Sequence, residues 1–175
     1  MVTISSRRRT FLSLTAAAAI VAMSGVFGGA FPSHAAEPTK ATVELNVDQT
    51  GLMLQGYDPV AYFTDAKPVK GSEQISAEYQ GGRYNFASAA HKDLFVKDPA
   101  KYVPAYGGFC AMGTVFDKKL EGDPTLWKVV DGRLYLNVNA DVAKKWAQDV
   151  PGNIAKANVE WPKIKDIPAK DLNAK

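Results

Sequence analysis

Two turn signals, each followed by a helix-capping residue, constrain this chain more than any other feature. Ile75–Tyr79 and Arg83–Ala87 are short runs with Gly81-Gly82 between them, and Trp127–Val130 and Arg133–Asn137 flank Asp131-Gly132. Glycine enters the left-handed backbone region freely, so both patterns predict β-hairpins. Ser88 stands where an N-cap opens a helix to about Lys97, which Asp98-Pro99 ends. Leu94 and Phe95, with Ala90 and His91 one turn back, supply its expected apolar face. Asn139 caps a second helix from Ala140 to about Val150, with Val142 and Trp146 four residues apart on one face. Two hairpins, each followed by a helix, predict an α+β fold with a small antiparallel sheet.

The rest of the chain carries weaker signals. Thr42–Val47 alternates like a short strand. Gly56-Tyr57-Asp58-Pro59 reads as a turn leading into a short helix through Phe63, with Asp58 as its cap. Residues 66–72 read as a loop, and Tyr102–Asp123 shows no clear periodicity. Pro151-Gly152 is expected to break the last long helix, a further short helix runs to Glu160, and Trp161-Pro162 ends the order.

The first 36 residues are expected to be a cleavable leader. Arg7, Arg8 and Arg9 precede an apolar, alanine-rich stretch to about Phe31, and Ser33-His34-Ala35-Ala36 offers small residues to a peptidase. That order is secretory, and Arg8-Arg9-Thr10-Phe11-Leu12 resembles the twin-arginine export signal. Ser13, Thr15, Ser24 and several glycines dilute the stretch as a membrane anchor. The expected layout is a leader at 1–36, a lead-in at 37–53, a domain at 54–162 and a charged flexible tail at 163–175. The expected location is the periplasm, with no stable membrane anchor after cleavage.

Cleavage changes the charge balance. The chain has 21 Lys and Arg against 18 Asp and Glu, and the leader holds three arginines and no acid. The remainder is neutral, with Arg83 and Arg133 its only arginines. It shows neither a nucleic-acid footprint nor the arginine clamps of a polyanion site. No phosphate loop, serine elbow or paired-carboxylate signature is present, which disfavours phosphoryl transfer and hydrolysis. The leader removes His34, leaving Cys110 and His91 as the lone cysteine and histidine. No internal disulfide can form, and a Cys/His zinc site cannot be completed without carboxylates or a second copy.

Several blocks resemble the YHS domain: Gly56-Tyr57-Asp58-Pro59-Val60-Ala61-Tyr62-Phe63, Tyr84 to Phe95, and Asp98-Pro99-Ala100-Lys101-Tyr102. Tyr106-Gly107-Gly108-Phe109-Cys110-Ala111 and Asp149-Val150-Pro151-Gly152-Asn153-Ile154 are similar to an exported bacterial subgroup of that family. The resemblance spans about residues 54–162. It implies metal handling, notably of copper and other heavy metals. The metal-linked members carry thiols after Asp-Pro and in the helix after the hairpin, whereas here Ala61, Ala87 and Ala90 occupy those places. Some subgroup members carry selenocysteine at the position of Cys110, which implies a nucleophile or soft ligand there.

The residues themselves name three candidates. Cys110 follows Gly107-Gly108, which permits close approach to its sulfur, although a free cysteine also serves as a small buried hydrophobe. Met112 would share a face with Cys110 if the segment were a strand, and thiolate with thioether suits Cu(I); core filling is its plainer role. His91 would make a Cys–His pair if the fold brought it to Cys110, and otherwise packs as a satisfied histidine. Three functions follow. The chain is a periplasmic accessory binding copper or a metal cofactor through Cys110, His91 and Met112, a thiol-dependent redox enzyme with Cys110 as nucleophile, or a scaffold for a periplasmic partner protein.

Overall fold

The computed structural model describes residues 43–174, so the expected leader, its cleavage site and His34 lie outside the described residues. Among the described residues no helix is long and apolar enough to cross a membrane. The architecture is α+β. A short helix α1 (Ala61–Thr64) precedes the first hairpin, β1 (Ser72–Tyr79) and β2 (Gly82–Phe86). Two helices follow, α2 (Ala89–Lys97) and α3 (Pro99–Tyr102), then α4 (Ala111–Val115). The second hairpin, β3 (Asp123–Val130) and β4 (Arg133–Asn137), leads into α5 (Ala140–Trp146), α6 (Val150–Ile164) and α7 (Ala169–Asn173).

Each hairpin forms its own two-stranded antiparallel sheet. In the second, Asp131 and Gly132 both have positive φ, the geometry of a type I′ turn. In the first, the turn falls one residue earlier than the glycine pair suggests, on Gln80 and Gly81. Gly82 opens β2 instead, where a Cβ would lie 2.7 Å from Met53 Cγ. The second glycine of the pair therefore serves packing.

Strand β4 organises the interior. Leu134 and Leu136 face one cluster with Met53, Val60, Tyr62, Tyr84, Phe86 and Phe95. Tyr135, on the opposite face, joins Tyr106, Cys110, Met112, Trp146 and Ala157. The two-residue period of a strand thus divides the core in two. The segment after α3 runs parallel beside β4, with bridges from Pro104 to Leu134 and from Cys110 to Leu136.

Several local expectations need correction. Val43 and Glu44 are helical, and among the described residues of the expected strand only Val47 makes a β-bridge, an isolated one to Met53. Leu94 is 40% exposed and Ala90 is exposed, so Phe95 anchors α2 almost alone. Pro151-Gly152 starts α6, because a first-turn proline gives up an N–H that has no helical partner, and Asp149 accepts from Gly152 N at 3.0 Å. Pro162 lies inside α6, which continues to Ile164.

The segment expected as a loose charged tail is bound in. Ile164 and Leu172 are buried, and Asn173 both accepts from Lys119 N and donates to Lys119 O. The Lys119 ammonium is buried and donates to the carbonyls of Val43, Lys165 and Ile167 at 2.9, 2.6 and 2.7 Å. It also lies 5.5 Å from the Phe109 ring centroid and 5.4 Å from that of Trp161. One lysine therefore ties the lead-in to the chain's final turns.

Candidate functional site

The turn before α1 and the start of α2 build one polar centre. Ser88 caps α2 as expected, its hydroxyl accepting from His91 N at 3.1 Å. That places His91 in the first turn of α2, over the Asp58 carboxylate. Asp58 is wholly buried, and a buried carboxylate requires donors. It has three: Val60 N at 2.8 Å to Oδ1, Ala87 N at 2.8 Å to Oδ2, and His91 Nδ1 at 2.7 Å to Oδ2. Asp58 is therefore not the expected cap of α1, whose N-cap is Val60 with no side-chain cap bond; its bond to Val60 N closes an Asx turn just ahead of the helix.

A carboxylate can only accept, so Nδ1 donates and Nε2 becomes the working atom of the ring. Nε2 lies 3.4 Å from Thr64 Oγ1 and 3.6 Å from Asp65 Oδ1, at the end of α1. Thr64 Oγ1 donates to Asp65 Oδ1 at 2.7 Å, so the hydroxyl and the carboxylate stand together beside the ring. The His91 side chain keeps 16% of its surface exposed. The result is an oriented nitrogen beside a carboxylate and a hydroxyl, reachable from solvent. A carboxylate behind a histidine in this way is the usual support of a metal-binding imidazole. It equally suits a general base.

Cys110 occupies different surroundings. It is wholly buried and caps the short helix α4, where its sulfur accepts from Gly113 N at 3.3 Å. The thiol in turn donates to Asn137 Oδ1 at 3.7 Å. Burial pushes the thiol above its ordinary pKa, and the N–H groups of Gly113, Val138 and Met112 pull the other way. The sulfur is sealed but has polar neighbours. Met112 is buried within α4 rather than on a strand, so the shared-face argument for a Cys110–Met112 pair does not apply.

His91 and Cys110 thus take separate partners, while Met112 shares the Cys110 cluster. His91 belongs with Asp58, Thr64 and Asp65, and Cys110 with Asn137 and the α4 backbone. Among the described residues, no three His, Cys, Asp or Glu side chains group as a metal site. Thr64, Asp65 and Asn137 carry no sequence signal, since only the tertiary fold brings them to the ring and the sulfur.

Residues 60–106 match the family model of the YHS domain. The matched span includes His91, Thr64 and Asp65, begins two residues after Asp58 and stops before Cys110. No curated protein and no solved structure matches the chain.

Proposed function

Because the chain carries a YHS domain at residues 60–106, we propose that it is a metal-handling accessory module whose accessible ligand is His91. The observation that carries this reading is the 2.7 Å bond from His91 Nδ1 to the buried carboxylate of Asp58, which aims Nε2 at Asp65 and Thr64. The thiolate set that the family resemblance implies is missing at Ala61, Ala87 and Ala90. The residues present fit a looser site. Metal bonds of about 2.0–2.2 Å to a nitrogen and an oxygen hold those atoms about 3–4 Å apart, and Nε2 and Asp65 Oδ1 are 3.6 Å apart. A pair of protein ligands leaves the remaining positions to water or to a partner's side chains.

The donors also select the ion. Imidazole with carboxylate and hydroxyl suits a borderline divalent cation such as Cu(II), whereas Cu(I) prefers the sulfur of Cys110 and Met112. Both sulfurs are buried. The same burial, with the raised thiol, disfavours Cys110 as a redox nucleophile in the closed protein. When bound, the ion would supply a Lewis-acidic or redox-active centre. The protein's part is to fix the imidazole tautomer through Asp58 and to keep Asp65 and Thr64 beside it.

The test is a Cu(II) titration followed by calorimetry and by electron paramagnetic resonance. Wild type and Cys110→Ser should bind with the signature of one imidazole nitrogen, and His91→Ala should not. Binding that survives His91→Ala and vanishes in Cys110→Ser overturns the assignment to the imidazole.

The leader's order of arginines, apolar stretch and small residues supports work outside the cytoplasm after twin-arginine export. Amino-terminal sequencing of the mature protein should find its start at Ala36 or Glu37, and an uncut Met1 in a periplasmic fraction would contradict this.

A further inference from the structure

Tyr84 carries a hydroxyl that its packing does not require. The residue is 2% exposed, and its ring packs on Phe95 in the core. Phenylalanine would fill the same space with no polar atom to desolvate. Among the described residues the hydroxyl has no hydrogen-bond partner, yet the side-chain atoms that are both sealed and partnerless are Asn85 Oδ1 and Trp146 Nε1. The Tyr84 oxygen therefore keeps contact with solvent. Burial raises the phenol's pKa, so at neutral pH it stays protonated and can donate.

Strand geometry locates the opening. Gly82 and Tyr84 are two apart on β2, so their side-chain positions share a face. The Cβ position at Gly82 lies against Met53 and Leu45. Those two residues and Tyr84 line one cleft of about 190 Å³. Arg133 lines it from the other hairpin, and Tyr106 and Trp161 form an aromatic wall, their ring centroids 5.9 Å apart. On β4, Arg133 shares a face with Tyr135, whose ring centroid is 5.8 Å from that of Tyr106. Burial and Tyr135 raise the Tyr106 pKa and the Arg133 charge pulls it back, so the guanidinium stands near the Tyr106 hydroxyl. Arg133 is exposed and makes no hydrogen bond or ion pair among the described residues. The carboxylate on the wall, Glu44, is held by Lys165 Nζ at 3.2 Å.

We propose that this cleft binds a small aromatic carboxylate bearing a second polar oxygen, its carboxylate on Arg133, its ring against Tyr106 and Trp161, and its second oxygen on the Tyr84 hydroxyl. A guanidinium meets a carboxylate through two parallel hydrogen bonds. One arginine, with Glu44 nearby, suits a single negative charge and not a phosphate dianion. Drug-sized ligands occupy about 300 Å³ or more, so a cleft this small takes one ring. The site uses no residue of the His91 centre, so either can stand without the other.

The metal-free mature protein can be titrated with 4-hydroxybenzoate, and with tyramine as a cation bearing the same phenol, while the N–H signals of Gly107 and Trp161, two lining residues, are followed by ¹⁵N–¹H correlation. 4-Hydroxybenzoate should shift them saturably and tyramine should not. Arg133→Gln should weaken binding about tenfold or more, the worth of a hydrogen bond to a charged group. Tyr84→Phe keeps the ring in the core and removes a hydroxyl without a partner, so the melting temperature should hold or rise. It should weaken 4-hydroxybenzoate about fivefold and leave benzoate unchanged. No saturable shift, equal shifts with tyramine, or full affinity in Arg133→Gln overturns the site. Equal affinity of wild type and Tyr84→Phe for 4-hydroxybenzoate, or an equal loss for benzoate, overturns the contact with Tyr84.

Discussion

Asp58 and His91 stand 33 residues apart in the chain and 2.7 Å apart in space, joined through a carboxylate that solvent does not reach. Two backbone N–H groups, from Val60 and Ala87, complete the carboxylate's shell, so it pins α1 to the end of β2 while it orients the ring. Structure and proposed function meet in one side chain.

Asp58→Asn separates the two roles. The amide keeps one acceptor oxygen and turns a second donor toward groups that already donate. The loss should be about 3 kcal/mol of stability by urea denaturation, the cost of leaving buried donors unmatched. Cu(II) affinity should fall roughly 10–100-fold, since the ring loses its orienting anion. His91→Ala removes only one of the three donors and should destabilise less than Asp58→Asn while eliminating the binding. Equal stability losses in the two variants would contradict this division.

Cys110 makes stability pH-dependent in alkali. Burial holds its folded pKa above the ordinary 9.0. Above pH 9.0 the unfolded chain sheds the proton while the folded one retains it, so the folded state binds more protons and stability falls as pH rises. Below that window the group contributes no slope. Denaturation midpoints of wild type and Cys110→Ala, compared from neutral pH upward, should diverge only on the alkaline side, with the wild type losing ground. Parallel curves would mean an unburied thiol.

Lys119 acts in the opposite sense. Burial lowers its pKa to about 8, against the pull of Asp166 and Glu44. Between about 8 and the ordinary 10.5 the unfolded chain holds the extra proton, so stability rises with pH across that window. Lys119→Met should remove the rise. It also strands the carbonyls of Val43, Lys165 and Ile167, a loss on the order of 2 kcal/mol after the relief of desolvating the ammonium. Hydrogen exchange should quicken most in residues 165–173. Unchanged exchange there would refute the tie.

Two glycines test the backbone. Gly132 has φ +72 and open space around a would-be Cβ, so Gly132→Ala should cost only the left-handed penalty of about 1–2 kcal/mol. Gly107 has φ +61, and its Cβ would lie 2.0 Å from the Glu44 carbonyl oxygen. Gly107→Ala should pay the same penalty and also push residues 44–46 away, giving the larger fall in melting temperature. A reversed order would mean that the Glu44 segment yields freely.

Local chemistry carried much of the fold in the sequence itself. The Asp131-Gly132 turn, the Ser88 and Asn139 caps and the α+β alternation depend on residues within a few positions of one another, so they could be read directly. Where a choice lay between a local signal and a distant neighbour, the neighbour won. Gly82 makes room for Met53 instead of forming the first turn, and Lys119 with Asn173 binds a charged segment that composition alone marks as loose.

His91 and Cys110 were legible as the scarce reactive groups, because scarcity is a property of composition. Their partners were not. That His91 takes Asp58 and Asp65 and Cys110 takes Asn137 follows from how α1, α2 and β4 pack. Hydrogen bonds across 27 or 33 residues are made by geometry that no local spacing encodes. The sequence by itself determined which atoms can do chemistry; tertiary packing decided which of them meet and which reach solvent.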